Sequence, residues 1–356
     1  MMWPPLLGRY LTRLFLLHAM AVLFGLASLL LLLEMLDQAG GILARGGVAD
    51  MGRYVLLRLP GLLGRLVPLA VLVGGILSFR RLAASLEMTA IRAAGFGPWR
   101  VFLALLPACV LAAVVQFALL SGLAPRTERA WMDWWDGQED ATRPVALSQR
   151  LWLRDGADIV AIDAISQDGR ALEGVLLVRR DARGQATVRI DARRAVHDAA
   201  GWSLEDVRLV RPDDTQATTL ARLPWPEGPP PRTLRDLARP TEDQPFGRLL
   251  AGFRGEGPLT RGPAFFATRL QSVAAAAVEP LIMILLGLSS AFVLPRQGGG
   301  ARQAAMGLAL GLGFLAASGL MTAMGETGRL GPALAAWIMP ACFAVVGLWC
   351  LQREAV

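Results

Sequence analysis

The chain is written as long apolar runs separated by short polar ones, with one wide polar stretch in the middle. Leu14–Leu33 is almost unbroken apolar sequence and follows Arg9 and Arg13. At about 20 residues it is long enough to cross the hydrocarbon core of a bilayer, whereas the apolar part of a signal peptide usually stops at about 7–15. It predicts a retained first span, closed at its water-facing end by Glu34 and Asp37, with His18 packed inside it. After a short connection over 38–58 comes a second span, Leu59–Phe79, where the Gly74–Gly75 pair would let another helix approach closely. A third span follows at Val101–Leu123, and three more close the chain at about Ser272–Leu294, Ala304–Met324 and Leu330–Leu351.

Between spans three and four the pattern changes. From Ala124 to about Arg269 the chain is polar and rich in Asp, Arg, Gly and Pro, and Trp131, Trp134 and Trp135 stand where interfacial aromatics are expected. From about residue 150, short alternating runs such as LWLRDGADIVAIDAI, ALEGVLLVRRD, ATVRIDARRAVHD and GWSLEDVRLVRPD are separated by the turn pairs Asp155-Gly156, Asp168-Gly169 and Arg183-Gly184. Repeated strands with no helix between them predict an all-β sandwich or roll. The Pro-rich stretch Leu223–Pro245 reads as a linker back towards the membrane, and Phe246–Gly255 as a short helix.

The polar gap between spans two and three, Arg80–Arg100 (RRLAASLEMTAIRAAGFGPWR), is too charged to cross a bilayer. Read as one helix, it gathers Leu82, Leu86, Ala90 and Ala93 into an apolar stripe and points Glu87, Met88 and Ile91 elsewhere. Gly95 is placed to end the helix in a left-handed turn, and Pro98 blocks its continuation. One carboxylate beside exposed apolar side chains suggests a docking surface, and an ordinary amphipathic loop helix explains the same pattern.

Composition agrees with a membrane class: the chain is 54% hydrophobic, with a mean hydropathy of +0.44. The formal charge is +7 and all 36 basic residues are Arg, but they are scattered or lie beside apolar spans, which does not point to nucleic acid. Cys109, Cys342 and Cys350 fall in apolar runs without the spacing of a disulfide framework or a metal site. No phosphate-gripping lysine exists, and the His-Glu-x-x-His, Cys-x-x-Cys and Gly-x-Ser-x-Gly patterns are missing, so no catalysis and no cofactor are expected of this chain. His197, without a nucleophile elbow or a second histidine, makes no catalytic set. Any driven work would need energy from a partner, which returns attention to Arg80–Arg100. Two other readings stay open: an ion-coupled secondary transporter built on Glu279 and the acids of span one, and a scaffold that presents a β domain without moving anything.

Orientation follows from basic residues in short loops. Arg9, Arg13, Arg80, Arg81, Arg92, Arg100, Arg296, Arg302 and Arg353 fall on one side, while Arg45, Arg53, Arg58 and Arg329 on the other are diluted by Asp37, Asp50 and Glu326. This predicts both termini in the cytoplasm and the β domain in the periplasm.

Residues 57–101, LRLPGLLGRLVPLAVLVGGILSFRRLAASLEMTAIRAAGFGPWRV, resemble the second span and coupling helix of the LptF/LptG family, the permeases of the lipopolysaccharide export ABC transporter. The core of that motif is Ser85-Leu86-Glu87-Met88-Thr89-Ala90-Ile91-Arg92-Ala93-Ala94-Gly95, with Met88 where Leu is common. LWLRDGADIVAID and GWSLEDVRL are similar to the family's β-jellyroll. GETGRLGPALAAWIMP (325–340) is similar to the stretch before the last span in the LptG branch, whereas LPRQGGGAR (294–302) is more like LptF chains. Glu34 and Asp37 also suit the LptG branch.

The resemblance implies an α-helical membrane protein of six transmembrane helices in a 3+3 arrangement with an inserted periplasmic all-β jellyroll. Its parts would be residues 1–123 with a coupling helix at about 81–95, then 124–262, then 263–356. It implies a permease without catalysis of its own, driven by an LptB-like ATPase dimer and paired with a second, LptF-like permease. Lipopolysaccharide would pass to LptC-like and LptA-like periplasmic proteins. Leu86, Glu87, Met88, Ile91, Arg92 and Gly95 would form the ATPase dock, with Glu87 paired to a basic residue and Met88 and Ile91 filling an apolar groove. Arg126 and Arg129 would hold lipid phosphates. One departure is that some members carry a basic residue near the outer end of span one, where this chain has Glu34 and Asp37.

Overall fold

The computed structural model describes residues 5–45, 48–136, 144–181, 183–211, 216–238, 245–288 and 300–353. These residues fall into two compact units. One comprises the chain up to Trp131 and from Ala267 onward, and the other most of Met132–Phe266.

The first unit is helical. Helix α1 runs Pro5–Arg45, α2 Val48–Ala84, α3 Glu87–Ala93 and α4 Pro98–Ala118. A π-helical turn, Leu119–Leu123, joins α4 to α5, Ala124–Asp136. The first two helices are 41 and 37 residues long, so the expected loop over 38–58 is helix almost throughout. Apolar length marks the part of a helix that meets lipid, not where its backbone hydrogen bonding ends. Further on come α8 (Pro263–Ala276), α9 (Glu279–Leu288), α10 (Gly300–Glu326) and α11 (Pro332–Arg353). Among the described residues five helices are long and apolar enough to cross a membrane, and α8 with α9 makes a sixth, bent by 46°. The last part of the expected fourth span, 289–294, and most of LPRQGGGAR lie outside the described residues.

Helix α9 is the hub of this unit. Pro280 and Ile282 to Leu288 are all buried, and the helix packs against α2, α4, α10 and α11. A helix apolar all round belongs inside a bundle. The large core side chains are Phe15, Leu72, Phe79, Leu105 and Phe314. Glycines let helices close on them: a methyl group on Gly74 would strike the backbone of Ala19, one on Gly311 would meet Leu72, and one on Gly347 would meet Leu285. His18 is packed as expected. Its Nδ1 lies 2.9 Å from the Leu14 carbonyl and 3.2 Å from Ser78 Oγ, while Ser78 donates to the Gly74 carbonyl at 2.7 Å. Glu279 opens α9 and accepts from Gln116 Nε2 at 3.2 Å.

The second unit is an antiparallel sheet of six strands: β1 Pro144–Asp155, β2 Asp158–Ser166, β3 Ala171–Arg180, β4 Ala186–Asp198, β5 Gly201–Val210 and β6 Thr218–Trp225. Their order in the sheet is their order in the chain, so the all-β domain takes the form of a meander. The turn signals explain this, since Gly156, Gly169 and Gly184 all have positive φ and return each strand beside the last. Val160 and Ile162, Leu172, Val175 and Leu177, and Trp202, Leu204 and Val207 make one core, with the two three-residue steps falling at Gly174 and Asp206, both of positive φ. Trp202 Nε1 donates to the Pro229 carbonyl at 2.8 Å.

Two parts of the expected linker are ordered structure. β6 reaches Trp225, and α6 occupies Pro231–Ala238 with Leu234 fully buried in the β core. Proline argues against a central strand, but β6 is an edge strand, where Pro224 opposite Ser203 removes no needed donor. The expected short helix is present as α7, Phe246–Phe253.

Candidate functional site

The expected docking helix is broken. Helix α2 continues to Ala84, and Leu86 then takes left-handed dihedrals, φ 61° and ψ 5°, before α3 starts at Glu87. For a leucine that conformation costs about 1–2 kcal/mol. The break resets the helical phase, and the stripe drawn over one continuous helix does not survive it. Met88 and Ile91 are 3% and 7% exposed and belong to the core with Phe79 and Leu82. They therefore do not form the expected apolar knob, because they fill this chain's own interior. Leu86 is 61% exposed, and Ala90, Arg92, Ala93 and Gly95 also face outward. Gly95 ends α3 with φ 83°, and a Cβ there would meet no atom within 4 Å, so its requirement is the turn alone.

Glu87 is half-exposed and held in place. Tyr10 of α1 donates its hydroxyl to Glu87 Oε2 at 2.7 Å, and Ser85 donates to Oε1 at 2.9 Å. Both contacts fix the carboxylate without neutralising it. After α3, Arg100 donates to the Gly95 carbonyl at 3.2 Å and lies over the Phe96 ring at 5.5 Å. Trp99, 40% exposed, adds an apolar surface that the sequence pattern did not single out. Its signal was faint, an aromatic directly after Pro98 at a helix start.

At the far end of α2 the charges behave differently. Glu34 meets Arg58 at 2.9 Å, and the Arg58 guanidinium lies 5.4 Å from the Trp131 ring centre. The acidic residue that departs from the family pattern is thus matched by an arginine of its own chain. Arg126 and Arg129 lie on α5, the first exposed and the second half-exposed. A small cleft between α2 and α5 is lined by Arg58, Arg65, Thr127 and Glu128 instead. In the sequence Arg58 is one of several loop charges and Arg65 a single basic residue in an apolar run, and neither pattern shows a partner.

A bundle of up to six apolar helices long enough to cross a membrane, with a β domain inserted in the chain between the third and fourth, defines a multi-span membrane protein. The description "Lipopolysaccharide export system permease LptF/LptG" matches residues 9–353, and the chain belongs to that family. It is an integral protein of the inner membrane. It is similar to the lipopolysaccharide export system permease proteins LptG of Escherichia coli K12 and of Escherichia coli O6:H1 CFT073. Each is 23% identical over 367 residues, covering 98% of this chain and 98% of the relative.

Proposed function

We propose that this chain is the LptG-like half of a lipopolysaccharide-extracting permease, powered by a separate ATPase dimer that docks on the turn from Leu86 to Gly95. The single observation that carries this reading is Glu87. It is a carboxylate oriented by Tyr10 and Ser85, set beside the exposed Leu86, in a segment whose Met88 and Ile91 side chains are already used inside. A preoriented charge next to an apolar contact is the form of an interface anchor. In this reading Leu86, Glu87, Arg92 and Gly95 face the ATPase, while Met88 and Ile91 transmit its movement into the bundle core. An LptF-like permease completes the transporter, and lipopolysaccharide leaves through the periplasmic β domain to LptC-like and LptA-like proteins. Arg126 and Arg129 then meet the lipid phosphates, and both termini lie in the cytoplasm.

The test is co-purification of the partner ATPase with wild type, Glu87→Ala and Glu87→Arg, scoring lipopolysaccharide export in the same cells. Truncating one member of a buried charged pair typically costs about 2–5 kcal/mol, and reversal costs more. Loss of ATPase binding with the permease still in the membrane is the expected result. Normal binding and export in both variants would remove Glu87 from the dock.

A further inference from the structure

A laterally open groove of about 540 Å³ runs between the start of α1 and the first half of α4. It opens where α1 presents Gly8 and Thr12 and α4 presents Ala104 and Pro107, four compact residues. Thr12 donates its hydroxyl to the Ala104 carbonyl at 3.3 Å and ties the two helices together there. Arg9 and Arg13, one turn apart, line the groove towards the start of α1, and both are exposed. Neither has an ion-pair or hydrogen-bond partner among the described residues. Further along α1 the lining is purely apolar, with Leu16, Leu17 and Met20; Leu17 is 60% and Met20 45% exposed.

These two features call for one occupant. Free phosphate would satisfy the guanidinium groups and leave the apolar lining bare. A neutral lipid would cover the lining and leave two arginines without an anion. A single anionic phospholipid does both, because charged headgroup and acyl chain are joined at the spacing the groove offers. Arg13 and Met20 are roughly 10 Å apart along the helix, room for the upper part of a chain. Each basic residue near a membrane surface favours an anionic lipid, and a pair at i, i+4 points both forks at one phosphate. We infer that this groove is a binding site for one anionic phospholipid, with its headgroup phosphate on Arg9 and Arg13 and an acyl chain along Leu16, Leu17 and Met20. The inference goes beyond the export reading and does not depend on it.

The test uses the full-length chain in nanodiscs of equimolar phosphatidylglycerol and phosphatidylcholine, with the lipids retained on release counted by native mass spectrometry. Wild type should keep one phosphatidylglycerol in preference to phosphatidylcholine. Arg9→Ala with Arg13→Ala should lower that retention about 30-fold. Arg9→Lys with Arg13→Lys should keep most of it, which controls for folding. Ala104→Phe, which fills the groove and leaves both arginines, should also lose the lipid. Equal retention of the two lipids by wild type, or unchanged retention in either the double-alanine or the groove-filling variant, overturns the site. So does displacement of the lipid when a second permease is bound, which would make the groove a protein interface.

Discussion

Gly74 in α2 and Trp202 in β5 occupy the same kind of position, the contact between neighbouring elements, and fill it in opposite ways. At Gly74 the α1 backbone comes so close that one added methyl group would strike Ala19. At Trp202 a large ring is 4% exposed, packs 6.0 Å from Trp225 and ties its Nε1 to the Pro229 carbonyl. The surroundings explain the difference. In water the β unit gains by burying apolar area, and an indole buries more of it than other side chains. In lipid an apolar side chain has nothing to escape from, so helices associate by close packing, and small residues allow the closest approach.

The largest effect expected from this contrast is in the β unit. Trp202→Ala should cost about 3–5 kcal/mol, read as lost hydrogen-exchange protection of β4, β5 and β6 in the full-length chain, with the helices unaffected. Trp202→Phe keeps most of the packing and drops one buried hydrogen bond, for about 1–2 kcal/mol. If alanine were as mild as phenylalanine there, the ring would not be what holds the sheet's core.

Next in size is the smallest change that can be made to the bundle. Gly74→Ala adds one methyl group and should cost about 1–3 kcal/mol, because the obstacle is the Ala19 backbone and not a side chain that can turn away. Thermal unfolding in detergent, followed by exchange in α1 and α2, reads it. Neutral behaviour would show that the helices can separate at no cost, and the contrast with Trp202 would then be one of size only.

The same contrast decides what could be read from the sequence. In the β unit the apolar runs are short and bounded by glycine turns, so the strands and hairpins were legible up to β5, although β2 buries Val160, Ala161 and Ile162 in a row and the positive φ of Gly174 and Asp206 breaks the alternation in β3 and β5. β6 was missed because Pro224 signals a break, and only its place at the sheet edge makes that proline harmless. In the membrane unit nearly every position is apolar, so the spans were legible and their facing sides were not. The segment from Arg80 to Arg100 falls between these cases. The turn at Gly95 was readable, but the inward turn of Met88 and Ile91 follows from the left-handed Leu86, which no propensity announces. Partners across space were also out of reach: Tyr10 for Glu87 and Arg58 for Glu34 lie 77 and 24 residues away.

The smallest expected effect is electrostatic and belongs to the water-exposed unit. Asp155 and Asp158 face each other across the turn between β1 and β2. Burial, and then the charges of Asp158 and Glu227, push the Asp155 carboxyl above its ordinary value. A carboxyl raised in the folded state is easier to ionise after unfolding, so its charge opposes folding at neutral pH. That opposition is absent below the unfolded value and complete once pH has risen above the folded one. Asp155→Asn should therefore raise stability by about 0.5 kcal/mol at neutral pH, the scale of like charges across a strand pair. The gain should vanish as pH falls through the raised value. The thermal midpoint of the β signal at neutral and acidic pH measures both halves. A gain that persisted in acid would assign the effect to packing at the turn and leave the charges at this edge without influence on the sheet.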